Sequence, residues 1–590
     1  MRHFVLALSI SISICACGGE SPSPGEGRPP GRLNIVFVLS DALRAANMPM
    51  YGYPRNTTPN LQEIARSGII FDDHLSNAPN TILSVSQIFS SRLMTPILLG
   101  AQHRVVLTKA IPDDLMLLPQ VLRELGYRTA IVAAHSWFNR HARILQHFEV
   151  QRTPDPESKA PYPKFEEMLP AIREIIAEAS DNGQALFLYI HAMDTHAPFH
   201  FHPGFDRYRD VKDWPAKYNV YDSEIMYVDH CTQQVYAALE ENGILDRTIF
   251  VFTSDHGEEF NEMGAGWPNR THGYSARRAL HHVPLIIRLP GDPNPGRRYA
   301  GRTQHLDLAP TLARLAVPEV DLRKYRIDGR DLSDELYGGP SKTEEIETST
   351  SRGMRYWGFY RKHQEAHYDS WRDEIRFYEI QSDRFNYPRP IPIEGPSPFA
   401  EHEGEMRREY QRRIDEFWRL PPNEDLLGDL DLNVSPFIVA PLSGGAPTYS
   451  ESEDDGQWHL RPWTLLSAGP SEKPGPITMA MPWAAGRYRV WVRLNEVSIA
   501  KGYRNGFRLE VSGKQNRVVR VEEAGGERGL LVDLGEHEFV DRFEVSIDEP
   551  RGGVAISGFK FEYLGEKRAP EAVGEDEQLK SRLRALGYLE

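Results

Sequence analysis

The sequence predicts an α/β domain with a mostly parallel central sheet flanked by helices, followed by a C-terminal β-sandwich. Three observations support this fold class. Short apolar runs alternate with helical patterns from residue 33 to about 336, which is typical of parallel strands buried on both faces. From about residue 434 the pattern changes to short alternating strands, which is typical of antiparallel sheets. The chain has 590 residues, more than one hydrophobic core supports, so several domains are expected.

The N-terminus has the pattern of a secretory signal peptide over residues 1–17. A basic start precedes an apolar stretch that is too short to span a bilayer. This stretch ends in CACG, which resembles a bacterial lipobox and predicts lipidation of Cys17; a cleaved signal with a spare cysteine is the alternative. Residues 18–32 are rich in glycine and proline and predict a flexible linker. We therefore expect a bacterial cell-envelope protein, lipid-anchored to a membrane and facing the periplasm or the exterior.

Residues 33–425 are predicted to form the α/β domain. Its predicted strands are the apolar runs at 33–40, 127–136, 185–194, 248–255 and 283–291. The aromatic and charged segment 355–420 is expected to add a short antiparallel sheet and a helix to this domain. Residues 434–566 carry the alternating strands of the predicted sandwich. An amphipathic helix is expected at 575–590.

The composition excludes several classes of protein. A hydrophobic fraction of 40% and a mean hydropathy of -0.49 exclude a polytopic membrane protein and a wholly disordered chain. Acidic residues outnumber basic ones by 83 to 68, and no long basic run occurs, so nucleic acid is not an expected partner. Only Cys231 of the three cysteines falls in the predicted mature fold, so it is expected to be a buried thiol without a disulfide.

Acidic and imidazole side chains lie at the ends of three predicted strands. Ligands of a parallel sheet bind beyond the carboxyl ends of its strands, so a site is expected there. The residues are Asp41 after the first strand, His191, Asp194 and His196 at the end of the third, and Asp255 and His256 after the fourth. Carboxylates and neutral imidazoles from different elements are the groups that bind a divalent cation. The sequence therefore predicts a metal site of one or two ions, with Zn, Mn, Ca and Mg left open.

Residues 76–92 supply hydroxyl groups at the start of a predicted helix, with Thr81 and Ser84 as candidate nucleophiles. The free N–H groups of a helix N-terminus attract anions, so a hydroxyl there can attack while the backbone holds an oxyanion. A capping role without chemistry is the alternative. His272 is a further candidate metal ligand, with a surface-loop histidine as its alternative. The predicted substrate-binding residues are Asn80, His191 and Lys109.

Seven separated segments carry a resemblance to a known family. They are NIVFVLSDALRAANMPMYGYPRNTTPNLQEIARSGIIFDDHLSNAPNT, HAMDTHAPF, YDSEIMYVDH, TSDHGEEF, HLDLAPTLARLA, DGRDL and RLRALGYLE. In this order they resemble the sulfatase family of the alkaline phosphatase superfamily, and the resemblance covers residues 33–336. It implies an alkaline-phosphatase-like catalytic domain that uses a divalent metal to cleave esters.

The resemblance also implies roles for single residues. Those roles are metal binding for Asp41, Asp255 and His256, nucleophilic attack for Thr81, substrate-side catalysis for His196, and binding of a second ion for His272. A second ion would be held by Asp194, His196 and His272. With one ion, His196 or Lys109 would have to protonate the leaving group.

Two departures from the family pattern bear on the chemistry. Many sulfatases have two consecutive aspartates at the first site, whereas Ala42 follows Asp41 here. The nucleophile pattern of Cys or Ser, any residue, Pro, any residue and Arg is replaced by TILSV, which begins at Thr81. Formylglycine is made from Cys or Ser, so Thr81 cannot become the usual sulfatase cofactor. Family branches with threonine here resemble phosphodiesterases and phosphoethanolamine or phosphoglycerol transferases, which favours phosphate.

We therefore expect a metal-dependent hydrolase that cleaves sulfate or phosphate esters through Thr81 in the cell envelope. The expected substrate is a small-molecule, lipid or glycan ester. One alternative is a head-group transferase of the phosphoethanolamine or phosphoglycerol type. Another is a non-catalytic glycan-binding lipoprotein, in which the altered first site has lost its metal and the sandwich carries the function.

Overall fold

The computed structural model describes residues 31–93, 115–135, 142–154, 162–260, 262, 272, 275–339, 347–350, 356–361, 363–369, 374–395, 402–409 and 412, together with strands between 433 and 563. The predicted signal peptide, Cys17, nearly all of the linker, Lys109 and the predicted C-terminal helix lie outside these residues. Within the described ranges, none of the helices combines the length and the apolar character needed to cross a bilayer.

A mixed sheet of eight strands forms the centre of the α/β domain. The strands are β1 (Asn34–Ser40), β2 (Ile69–Leu75), β3 (Arg128–Ala133), β4 (Val150–Arg152), β5 (Leu186–Ala192), β6 (Thr248–Thr253), β7 (Leu285–Arg288) and β8 (Arg298–Gln304). Their order across the sheet is β4-β3-β5-β1-β6-β7-β2-β8. All neighbours are parallel except the two pairs that β7 makes with β6 and β2. The predicted mostly parallel sheet is confirmed, although the sequence pattern did not predict β2, β4 and β8.

Helices cover both faces of this sheet. The helices of this domain include α1 (Pro59–Ala65), α2 (Thr81–Ser90), α3 (Leu118–Glu124), α4 (Ala142–Leu145), α5 (Phe165–Asn182), α6 (Ala216–Glu241), α7 (Arg278–His281), α8 (Leu308–Ala316) and α9 (Ser333–Leu336). Alternate residues of β1 enter two different cores, because successive side chains of a strand point to opposite faces. Phe37 packs in a cluster that includes residues of α2, α3 and α8, whereas Val36 packs in one that includes residues of α5 and α6. The unpaired thiol of Cys231 is buried in the second cluster, as predicted.

A second, antiparallel sheet follows the α/β sheet. Its strands are β9 (Glu347–Thr350), β10 (Tyr356–Arg361), β11 (Gln364–Asp369), β12 (Glu374–Ser382) and β13 (Pro388–Pro392), paired in sequence order. Trp357 and Phe359 of β10 pack with Leu93 and Leu306 of the α/β domain. The predicted short antiparallel sheet is therefore present, and it packs against residues of the α/β sheet domain.

The C-terminal part of the chain contains two further sheets in which all pairings are antiparallel. The strands are β14 (Asn433–Val434), β15 (Pro441–Ser443), β16 (Thr448–Tyr449), β17 (Trp463–Leu465), β18 (Ile477–Ala480), β19 (Gly486–Leu494), β20 (Phe507–Val511), β21 (Gln515–Val519), β22 (Leu531–Phe539), β23 (Arg542–Ile547) and β24 (Val554–Tyr563). One sheet has the order β16-β17-β24-β19-β22, with β14 also paired to β24, and the other has the order β15-β18-β23-β20-β21. The predicted run of short antiparallel strands is therefore present.

The position of β1 explains where the site lies. This strand pairs in parallel with β5 on one side and β6 on the other, with Ser40 opposite Ala192 and Leu39 opposite Thr253. The three carboxyl ends therefore lie side by side at one edge of the sheet, as expected for a ligand site of this architecture. The backbone N–H of Asp41 donates to the carbonyl of Ala192 at 2.9 Å, which joins the first two of these ends.

Candidate active site

Thr81 is the first residue of α2 and lies at the carboxyl edge of the sheet. The preceding Asn80 is the N-cap, and its Oδ1 accepts a hydrogen bond from the N–H of Leu83 at 3.2 Å. The Thr81 hydroxyl donates to Oδ2 of Asp41 at 3.1 Å and lies 3.4 Å from Nε2 of His256. The helix start thus places a hydroxyl and backbone N–H groups next to a carboxylate and an imidazole.

Asp41, Asp255 and His256 form a buried group that can hold a metal ion. One ligand atom from each residue lies within 4.8 Å of the other two. Nε2 of His256 lies 3.7 Å from Oδ1 of Asp41 and 3.4 Å from Oδ2 of Asp255. Neither of these two carboxylate oxygens has a hydrogen-bond partner, although both are buried. Buried charged oxygens without partners are costly, and a cation between them would remove that cost.

The hydrogen bonds of His256 fix its tautomer. Nδ1 of this ring lies 2.8 Å from the carbonyl oxygen of Gly257, which can only accept, so Nδ1 carries the proton. The lone pair of Nε2 is then directed toward the two carboxylates, as a metal ligand requires. Burial, and after it the charge of Asp41, raises the pKa of Asp255, so the group favours a proton or a cation. The residues present therefore fit a divalent ion.

Several hydrogen bonds hold Asp41 in place from outside the metal group. Nε2 of His191 donates to Oδ2 of Asp41 at 3.0 Å, while Nδ1 of the same ring accepts from the hydroxyl of Tyr189 at 3.0 Å. Burial alone would raise the pKa of Asp41, but the hydrogen bond from His191 and the neighbouring imidazoles hold it well below its ordinary value. Asp41 is therefore an anion. His191, predicted to bind substrate, lies where it orients this carboxylate.

The sulfatase family model matches residues 33–317. This part of the chain belongs to the sulfatase family. Arylsulfatase A of Homo sapiens is 24% identical over 367 residues, which cover 53% of this chain and 68% of the relative. YhbX of Escherichia coli is 23% identical over 269 residues, which cover 44% of each chain. The solved structure of i-CgsB in complex with k-i-k-neocarrahexaose has a TM-score of 0.53 and 16% identity, and the match covers 67% of this chain and 94% of that one; it shows the shared fold.

The match identifies residues 33–317 as a sulfatase-family ester hydrolase domain. The predicted ligands Asp41, Asp255 and His256 and the predicted nucleophile Thr81 meet at one point of this sulfatase fold. Ser84, the other candidate nucleophile, is buried one turn further along α2. Its hydroxyl donates to the carbonyl of Asp255 at 2.6 Å, so it supports the loop that carries the ligands.

His196 and His272 lie beside the metal group of the sulfatase domain. The His272 ring centroid lies 4.5 Å from that of His256 and 5.0 Å from that of His196. Nδ1 of His272 lies 3.2 Å from both carboxylate oxygens of Glu258. Burial raises the pKa of Glu258 to about 7. The predicted proximity of the two histidines is thus present.

Asp194 lies in a different group from the one that the sequence suggested. The sequence suggested a set with His196 and His272, but the carboxylate of Asp194 lies near His202 and Glu224. Its Oδ2 accepts a hydrogen bond from the N–H of Phe165 at 3.2 Å. The reason is that the chain turns after β5 ends at Ala192, so neighbours in sequence face different elements. The structure also shows a supporting residue that the sequence reading did not assign, Glu258. Glu258 belongs to the segment TSDHGEEF and directly follows Asp255, His256 and Gly257. Its position next to the predicted ligands could have identified it.

Proposed function

We propose that this sulfatase-family hydrolase cleaves phosphate esters in preference to sulfate esters, with Thr81 as the nucleophile. The observation that carries the proposal is the position of the Thr81 hydroxyl, 3.1 Å from Asp41 and 3.4 Å from His256 at the start of α2. Asp41, Asp255 and His256 would hold the divalent cation. Such a cation lowers the pKa of a neighbouring hydroxyl and stabilises negative charge on the reacting ester.

The chain's own groups account for binding of the ester. The start of α2, where Thr81 lies, favours an anion because the first N–H groups of a helix have no partner within it. Nδ2 of Asn80 is buried and has no hydrogen-bond partner, so it is available to donate to an ester oxygen. These donors are suited to phosphate oxygens, which accept hydrogen bonds and carry charge.

In the proposed reaction, the Thr81 hydroxyl loses its proton to solvent and its oxygen attacks phosphorus. The bond from phosphorus to the ester oxygen breaks, and this oxygen leaves as an alcohol after taking a proton from solvent. Water then cleaves the threonine phosphate and restores the hydroxyl. Nδ1 of His196 donates to the carbonyl oxygen of Ala197 at 2.6 Å. Burial lowers the pKa of His196, so the ring is neutral and Nε2 is unprotonated. We assign His196 the role of the base that accepts a proton from this water.

Threonine favours phosphate for a chemical reason. A formylglycine hydrate has a second hydroxyl on the same carbon, so a sulfated intermediate can eliminate sulfate as the aldehyde re-forms. Thr81 has a methyl group in that place, and a covalent intermediate must be broken by water at phosphorus or sulfur. The fifth position of the family's nucleophile pattern is Arg, whereas this chain has Val85 there, which supplies no positive charge.

The test compares three aryl substrates: a sulfate, a phosphate monoester and a phosphodiester. We expect turnover of a phosphate substrate and a loss on the order of 10³-fold or more for Thr81→Ala, because the nucleophile is removed. Thr81→Ser is the matched control, since it keeps the hydroxyl. Acid quenching during turnover should leave a phosphate on the peptide that contains Thr81, detected by mass spectrometry. Turnover of Thr81→Ala within tenfold of wild type would exclude this nucleophile.

The natural substrate is proposed to be an envelope lipid or glycan ester, reached from a lipid anchor at Cys17. Support comes from the lipobox-like sequence and from the fold shared with i-CgsB, which was solved with a bound oligosaccharide. Transfer of a phosphorylated head group is a second candidate function. Its support is the similarity to YhbX, whose provisional name is that of a transferase. Adding lipid or glycan acceptors separates the two: hydrolysis releases a free phosphorylated product, whereas transfer yields a modified acceptor. Labelling with radioactive palmitate, lost in Cys17→Ala, tests the anchor.

A further inference from the structure

A second group of potential metal ligands lies outside the candidate active site. It consists of Asp194, after the end of β5, His202, in the segment 193–215, and Glu224, in α6. One ligand atom from each lies within 4.8 Å of the other two, the same limit that the active-site group meets. None of these three residues contributes to binding or attack in the proposed reaction.

The three side chains are fixed by contacts with different elements. Nε2 of His202 faces Oε2 of Glu224 directly, and the ring of His202 stacks on Tyr227 with centroids 3.8 Å apart and planes 7° from parallel. The other oxygen of Glu224 accepts the backbone N–H of His200. Oδ2 of Asp194 accepts the N–H of Phe165 at 3.2 Å. The three groups are therefore held close together by the fold, and a bound cation would replace the proton that Nε2 of His202 shares with Oε2 of Glu224.

The charge of the two carboxylates suits a divalent cation. They carry -2 when both are ionised, in a place where His202 and Glu224 are almost fully buried. The active-site group has the same composition, two carboxylates and one imidazole. A divalent cation bound to these two carboxylates and one neutral imidazole would neutralise the group completely.

We propose that Asp194, His202 and Glu224 form a second divalent-metal site, structural in role, that binds Zn²⁺ and fastens the segment 193–215 to α6. One nitrogen and two carboxylate ligands suit Zn²⁺ and leave a fourth position for water. The partial exposure of Asp194 gives the ion a route of entry. The segment has no helix or strand of its own, and it leads from His196 to the start of α6. The ion would therefore stabilise the loop that carries a residue of the active site.

The test measures zinc bound to the full chain after stripping with a chelator and titrating with Zn²⁺ alone. Wild type should bind two equivalents by elemental analysis, and Glu224→Gln should bind one. Asp229→Asn is the matched control and should bind two, because Asp229 is a buried carboxylate on the same helix whose partners are the N–H groups of Asn60 and Leu61. His202→Gln gives a second variant in case Glu224→Gln does not fold. In wild type, filling the second equivalent should raise the melting temperature by several degrees.

The outcomes separate this site from the catalytic one. Asp255→Asn should lose one equivalent and keep the second. If Asp255→Asn retains two equivalents, the proposed catalytic cation fails while the structural site can still be judged from Glu224→Gln. Wild type that binds one equivalent, lost in Asp255→Asn, would overturn the second site. Equal binding of two equivalents by wild type, Glu224→Gln and His202→Gln would overturn it as well.

Discussion

Replacing Gly257 with alanine should damage the site without touching any ligand. A Cβ atom at this position would lie 2.0 Å from the carbonyl oxygen of Ala279 and 3.1 Å from Cβ of Arg44. An ordinary contact begins at 3.4 Å, so the two backbones must separate by about 1.4 Å. The N–H of Gly257 donates to the carbonyl of Leu280 at 2.8 Å, and this bond would stretch. The substitution therefore acts on the residue directly after His256.

The cost can be worked from these contacts. Overpacking costs about 1–3 kcal/mol and loss of a buried hydrogen bond about 1 kcal/mol, so Gly257→Ala should lower stability by about 2–4 kcal/mol. For a domain of this size, this corresponds to a fall in melting temperature of roughly 2–5 °C. Displacement of His256 by about 1 Å should lower kcat/KM for the phosphate substrate about 10²-fold.

Thermal unfolding followed by circular dichroism and steady-state turnover measure the two effects. Gly404→Ala is the matched control, because its Cβ would meet only the end of the Arg408 side chain at 3.4 Å. It should change melting temperature and kcat/KM little. A Gly257→Ala protein with wild-type melting temperature and kcat/KM within twofold would show that the carbonyl of Ala279 does not press on this position, and the reasoning would fail.

Three further predictions concern the same domain. Asn80→Asp should keep the cap on Leu83 and the melting temperature, but it should lower kcat/KM at least about 10-fold because it replaces a hydrogen-bond donor with a negative charge. Asn80→Ala should also lose about 1 kcal/mol of stability. Unchanged turnover in both variants would remove Asn80 from substrate binding. Burial raises the pKa of Asp229 to about 6 from an ordinary 3.8. Because the unfolded chain ionises this carboxyl first, wild type should lose about 3 kcal/mol of stability relative to Asp229→Asn as pH rises from about 4 to about 6. A constant difference in unfolding free energy between the two proteins over this range, measured by denaturant unfolding, contradicts the prediction. Removing metal with a chelator should abolish turnover and re-addition of Zn²⁺ or Mn²⁺ should restore it, whereas full activity in metal-free protein would exclude a catalytic cation.

The sheet and most of the site could be predicted from the sequence because each depends on short-range patterns. The β1 run has five consecutive apolar residues at 35–39 and its residues are buried on both faces, which identifies a central parallel strand. Parallel neighbours then bring Asp41 and Asp255 together without further information. The edge strands β4 and β8 did not follow from pattern, since both include exposed residues and lack a continuous apolar run.

The placement of Asp194 could not be predicted for a different reason. Sequence proximity to His196 suggested a shared ion, but the direction of a side chain after a strand end depends on the turn and on the helices packed there. The partners of Asp194 come from residues 202 and 224, and only the path of the segment 193–215 over α6 determines that they meet. The same limit applies to His191, whose type and position were visible but whose hydrogen bond to Asp41 was not.

Ala42 shows why the missing second aspartate does not dismantle the metal group. Its φ of 57° lies in the left-handed region, which costs an alanine about 1–2 kcal/mol. In this conformation its N–H donates to Oδ1 of Asp255 at 3.0 Å, and the N–H of His256 donates to the same atom at 2.8 Å. With Oδ1 occupied by two donors, Oδ2 is the oxygen left facing Nε2 of His256. The strained backbone thus positions a metal ligand although the side chain at position 42 is only a methyl group. Compared with the family pattern of two aspartates, Ala42 removes one negative charge and leaves the three ligands Asp41, Asp255 and His256 grouped. This is why the substitution does not support a binding protein that has lost its metal.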